Sequence, residues 1–224
     1  MNPQAVQLLF LKDLFLSRRY LFGYLVGGLV SAAITCIPGE MMGFIGFILM
    51  VTVTIAAGIH LIGVLLLAEP IDMTRTFIMS LPVSLLDYSI AKISVVLASF
   101  LIPWIGMLAC LTVLIYIVPD AKPGVLVALV PMFLFLLASF CVQIVTAVLT
   151  ESVGWTIVMV VLGNVLFNLF LKSIFQHPVI SEVVKSDALT WPPIVIQIVC
   201  IQGGVILASL AFALIWQCRS RDLV

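Results

Sequence analysis

"ISVVLASFLIPWIGMLACLTVLIYIVP", Ile93 to Pro119, runs for 27 residues without an Asp, Glu, Lys or Arg. A helix of about 20 apolar residues, rising 1.5 Å per residue, crosses the roughly 30 Å hydrocarbon core of a bilayer. Runs such as "VLASFLI" within it lack the apolar-polar alternation of a barrel strand, so the stretch reads as a spanning helix. Five more charge-free stretches are long enough to span: 20–39, 41–68, 123–150, 152–171, and a last one read as 192–216 within Ala188 to Cys218. Every other gap between charges is too short. The fold expected is an all-α integral membrane protein with six transmembrane helices, 93–119 being the third.

Composition agrees. Of 224 residues, 64% are apolar and 9% charged, against about 25% charged in a typical soluble domain. The formal net charge is zero, which leaves no basic surface for nucleic acid and no polybasic lipid anchor. With six spans both termini share a side. That side holds Lys12, Arg18, Arg19, Arg75, Lys92, Arg219 and Arg221, and the other holds Lys122, Lys172 and Lys185. The excess predicts both termini in the cytoplasm. No cleavable signal pattern is expected, and the five cysteines are too widely spaced for a Cys-x-x-Cys redox or zinc motif.

Residues 1–19 are predicted as an interfacial helix, their basic pair Arg18-Arg19 suiting the headgroup boundary. Gly23, Gly27 and Ser31 follow as a small-residue stripe repeating every four positions. Such a stripe allows close helix approach, either within the subunit or at a dimer interface. Pro103 and Pro131 fall inside spans, where each removes a backbone donor. Residues 172–191, carrying His177, Glu182, Lys185, Asp187 and Trp191, are read as an outer helical element.

Residues 69–92 interrupt the apolar pattern and read as an elbow between two long helices. Glu69, Pro70 and Asp72 suit the first turn of a short helix, and Pro82 ends it. Ile71, Met73, Phe77, Ile78 and Leu81 are more apolar than an exposed loop needs, so something is expected to cover them. Ser84 and Asp87 then form a Ser-x-x-Asp start signal for the next helix. Lys92 is placed to snorkel at the interface.

"RTFIMSLPVSLLDYSIAK", Arg75 to Lys92, resembles the cytoplasmic coupling segment of type-2 ABC exporter permeases. Ser80, Leu81, Pro82, Val83 and Ser84 match its "SLPVS" core, and Asp87, Ala91 and Lys92 match its acidic residue and the Ala-Lys that enters the third span. Leu85 stands where the family carries a basic residue. The likeness implies a membrane subunit of an ATP-driven exporter in a bacterial cell membrane. A cytoplasmic coupling helix between spans 2 and 3 would dock on a separate ATPase through Ile71, Asp72, Arg75, Phe77, Ile78, Leu81 and Pro82. The implied working unit has two membrane subunits, identical or paralogous, and two cytoplasmic ABC ATPase subunits. ATP and Mg would be bound by those partners, with no cofactor or metal on this chain. None of the five lysines follows a glycine, so no Gly-Lys-Ser/Thr phosphate loop is present. The cargo implied is amphiphilic or apolar: a peptide, a lipid or a drug-like compound.

Inside the spans, His60, Gln143, Asn164 and Asn168 are the candidates for a translocation path. A membrane-embedded ionisable group raises a functional hypothesis by default, yet one interhelical hydrogen bond satisfies a neutral histidine. Asn164 and Asn168 share a helix face. For these residues packing is the preferred reading, because hydrogen bonds in membranes average only about 0.6 kcal/mol. A non-ABC secondary transporter or channel subunit is the alternative, and an intramembrane enzyme the last. Gly-x-Ser-x-Gly and His-Glu-x-x-His are both absent from the sequence.

Overall fold

Apolar runs bounded by proline and charge fold here into helices. The structure, a computed structural model, describes residues 3–68, 85–118 and 122–219. In chain order it contains α1 (Pro3–Thr35), α2 (Glu40–Ile62) continued by a π-helical turn (Gly63–Leu67), and α3 (Leu85–Ile117). A 3-10 turn (Pro123–Val125) leads into α4 (Leu126–Thr150), followed by α5 (Val153–Gln176), α6 (Pro178–Val184) and α7 (Pro193–Arg219). Among the described residues there is no strand. Five segments of the described residues are long and apolar enough to cross a membrane: Met41–Leu67, Asp87–Ile117, Pro123–Thr150, Val153–Gln176 and Pro193–Trp216.

The first expected span is the one that does not meet this standard. α1 is a single helix of 33 residues, running unbroken through Arg18-Arg19, so the interfacial segment and the span are one element. It ends at Thr35 because a turn over residues 36–39 follows, closed by Gly39 at φ 125, a conformation glycine adopts without penalty. The charge-free part from Tyr20 to Thr35 rises roughly 24 Å, short of the roughly 30 Å core.

Other boundaries follow proline more than charge. Pro123, Pro178 and Pro193 each open a helical element, where the missing N–H costs nothing. α5 therefore continues past Lys172 to Gln176, and the 172–191 segment contains α6. α3 begins at Leu85, immediately after Ser84, with Asp87 in its first turn. The helices carrying Pro103 and Pro131 run on through both prolines.

α4 is the centre of the bundle. Its buried residues surround the whole helix, from Leu126 to Ala147, because α2, α3, α5 and α7 all pack on it. α1 packs on α2 and α3, and α6 on α4 and α5. Lipid tails are as apolar as these side chains, so close fit matters more than exclusion of water. Phe100 of α3 stacks on Phe140 of α4 at 3.9 Å between ring centroids. Gly58 of α2 makes room for them: a Cβ there would lie 3.0 Å from the Phe140 ring and 3.2 Å from Phe100. Trp104 donates its indole N–H to the Phe133 carbonyl at 2.8 Å, tying α3 to α4.

At the end of the bundle away from the elbow, α6 caps the start of α4. Gly124 N–H donates to the Ser186 carbonyl at 3.3 Å, and Lys122 Nζ to the Lys185 carbonyl at 2.7 Å. A Cβ on Gly124 would overlap the Val183 carbonyl oxygen, so the docking depends on glycine.

Candidate functional site

The elbow candidates Ile71, Asp72, Arg75, Phe77, Ile78, Leu81 and Pro82 lie outside the described residues. Its two flanks are described: the π-helical turn Gly63–Leu67 before it and the first turns of α3 after it. Asp87, Ala91 and Lys92, the downstream part of the motif, are all buried.

Lys92 does not snorkel. It is 4% exposed, and its Nζ lies 2.6 Å from Asp13 Oδ2 on α1. Lys12 Nζ is 3.3 Å from the other oxygen, Oδ1. The physical reason is helix packing: Lys92 falls on the face of α3 that meets α1, and a charge taken from water there requires a counter-charge. On the same seam Ser17 Oγ lies 3.4 Å from Ser99 Oγ. Farther along, a Cβ on Gly28 would come within 3.0 Å of Met107, and one on Gly106 within 3.2 Å of Leu25. The partners advance together along both chains, so α1 and α3 run side by side in the same direction. Glu151, exposed in the turn between α4 and α5, borders a crevice of about 40 Å³ shared with Tyr88, Ser89 and Lys92.

The small-residue stripe divides. Gly27 faces Val53 of α2, where a Cβ would make ordinary contact at 3.5 Å, while a Cβ on Gly23 meets nothing within 4 Å. Ser31 is buried and gives its hydroxyl to the Gly27 carbonyl at 2.8 Å. The tightest approach between α1 and α2 is at Gly46 of α2, where a Cβ would overlap Thr35 and come within 2.8 Å of the Ser31 carbonyl.

The path candidates separate too. His60 Nδ1 shares a 2.7 Å hydrogen bond with the Tyr24 hydroxyl, and the Tyr20 ring stands edge-on at 4.6 Å. These contacts tie α2 to α1. Gln143 donates to Ser139 Oγ at 3.2 Å. Asn164 donates to the Val160 carbonyl at 2.9 Å, and Asn168 to the Asn164 carbonyl at 2.8 Å. Gln143 and Asn164 meet at a cavity of about 30 Å³ bordered also by Thr54, Gly58 and Ser139. That volume suits one or two water molecules. Asn168 lies outside it, on an exposed face.

Sequence reasoning missed Asp13, Ser17, Gly28, Gly46, Ser99 and Gly106. The signal present was a lone acid within an otherwise basic and apolar first helix. Among the described residues no group of three or more His, Cys, Asp or Glu is placed to hold a metal ion. α5 and α7 remain largely exposed along apolar rows that include Ile157, Val161, Val165, Ile201 and Leu207. Comparison with protein-family models, with curated proteins and with solved structures returns no match.

Proposed function

We propose that the chain is the membrane subunit of an ATP-driven exporter, working as a pair of membrane subunits on two separate cytoplasmic ATPases. The observation that carries this reading is the elbow sequence, with "SLPVS" at Ser80 to Ser84 followed by Asp87, Ala91 and Lys92. In this reading the upper part of α1 also crosses the membrane, giving six spans with both termini in the cytoplasm of a bacterial cell. The ATPases bind ATP and Mg and dock on residues 71–82.

The Asp13–Lys92 pair supports a mechanical role for the elbow. A push on residues 69–84 reaches α3 directly, and α3 is bound to α1 by a buried ion pair and a close-packed seam. The two helices would move as one body against α4. The cavity at Gln143 and Asn164 holds about 30 Å³, too little for cargo. In this reading the exporter path lies between two membrane subunits, opening alternately to either side as the ATPases close and separate. An apolar or amphiphilic cargo suits surfaces of this kind.

The test is purification from native cells in mild detergent. A nucleotide-binding protein is expected to co-purify in equal amount, and Arg75→Glu combined with Phe77→Ala to abolish both its recovery and transport. Isolation of a stable chain that transports without any ATPase would overturn the reading. So would full coupling in the double variant.

A further inference from the structure

Polar side chains tie most of the long helices directly to a neighbour. Asp13 and Lys92 join α1 to α3, Tyr24 and His60 join α1 to α2, and Trp104 joins α3 to α4. The Gln202 amide of α7 donates to the Pro131 carbonyl of α4 at 3.0 Å. α5 differs. Its Thr156, Asn164, Asn168 and Ser173 side chains all bond carbonyls one turn back along their own chain, at 2.8–2.9 Å. Among the described residues no direct side-chain hydrogen bond joins α5 to another helix.

α5 nevertheless comes close to α4. A Cβ on Gly163 would lie 2.5 Å from Ser139 Oγ, and this approach brings Asn164 and Gln143 to the same cavity of about 30 Å³. Gln143 is 9% exposed. Its Nε2 is given to Ser139, and its Oε1 has no hydrogen bond among the described residues. Asn164 is placed alike: Nδ2 is used on the Val160 carbonyl, and Oδ1 has no hydrogen bond among the described residues. Only the nitrogen can donate to a carbonyl, so chemistry fixes which end of the Asn164 amide is left. Neither oxygen is sealed as Gln202 Oε1 is; each keeps accessible surface.

An amide oxygen left unpaired in apolar surroundings is costly, and leucine at either position would avoid the cost. The rest of the lining is hydroxylic or apolar, with Thr54, Ser139 and four phenylalanine rings that include Phe140 and Phe167. No charged side chain borders the cavity, so a dehydrated cation would find no counter-charge there. Water needs none. It can donate to both oxygens at once, and it finds in a space of its own size the several polar partners it requires.

We propose that the cavity is a water site, and that water bridging Gln143 Oε1 to Asn164 Oδ1 is the polar fastening between α4 and α5. These two helices are then joined through an exchangeable molecule, where the other joints are direct. α5 shifts against α4 by re-placing that water, with no hydrogen bond between protein groups to break. The site does not depend on the exporter reading, and its test involves neither ATPase nor nucleotide.

X-ray radiolysis makes hydroxyl radicals from water in place, and these oxidise the side chains they touch. The purified protein in lipid nanodiscs is pulsed, and oxidised residues are mapped by mass spectrometry. Phe140 and Phe167, both buried and both on the cavity, are expected to be oxidised, and Phe133, buried away from it, to be spared. Gln143→Leu with Asn164→Leu is expected to abolish that oxidation, and Asn164→Leu alone, at a half-buried position, to lower it. Melting temperatures give a second reading: the two single changes are expected to be non-additive in a double-mutant cycle, as residues sharing one water are. Exchanging sodium for potassium, ammonium or N-methylglucamine at constant ionic strength is expected to alter neither reading. The proposal is overturned by oxidation of Phe140 and Phe167 no greater than that of Phe133, by oxidation that persists in the double variant, or by additive single changes. A melting shift produced by one cation and lost in the double variant also overturns it, and assigns the cavity to that cation.

Discussion

Asp13 and Lys92 decide how α1 sits, because neither charge is tenable alone where it lies. Removing one partner of a buried pair typically costs about 3–5 kcal/mol, whereas replacing both with apolar residues is often neutral. Lys92→Met is therefore expected to lower the melting point sharply in detergent, and Asp13→Leu with Lys92→Met to recover most of the loss. A double-mutant cycle on thermal unfolding reads this directly. Gly46→Val is expected to cost about 1–3 kcal/mol by overpacking, since even a Cβ there overlaps Thr35. Both charges are visible in the sequence. Their pairing is not, because it depends on the offset between two parallel helices separated by α2 and the elbow. The glycines behave likewise: Gly23, Gly27 and Ser31 have the right spacing, but the close approaches fall at Gly28 of α1 against α3 and at Gly46 of α2 against Ser31 and Thr35 of α1.

At the scale of elements, charge-free length is a good guide to α2, α3, α4, α5 and α7, since a chain in lipid must satisfy its backbone internally. It is a poor guide to α1, whose charged lower half continues the same helix. Ends are legible where proline opens them. α6 depends on Gly124, so Gly124→Leu is expected to release it without unfolding the bundle. Hydrogen exchange over residues 178–186 would rise while exchange in α4 stays slow. Trp104→Phe is expected to cost about 1 kcal/mol through the lost bond to the Phe133 carbonyl. A smaller change in melting point than that of Lys92→Met would show it.

Over the whole molecule, one well-buried helix gathers the others: α1, α2 and α3 pack on one another, α5 and α7 each pack on α4, and α7 also meets α3. Alternation of the helices sets Ser181 and Glu151 at opposite ends of the bundle. In a cysteine-free background on intact cells, Ser181→Cys is expected to react with an impermeant maleimide and Glu151→Cys only after permeabilisation. The converse labelling would reverse the orientation proposed here. The cavity at Gln143 and Asn164 is not legible in sequence, because it arises from how α2, α3, α4 and α5 pack and not from any residue pattern. The ion pair between α1 and α3 also imposes an order on biosynthesis. Asp13 leaves the ribosome 79 residues before Lys92, a wait of about 4–16 s at 5–20 residues per second. Through that interval Asp13 lacks its Lys92 partner and has only Lys12 beside it, so the seam between α1 and α3 closes only once α3 has been made.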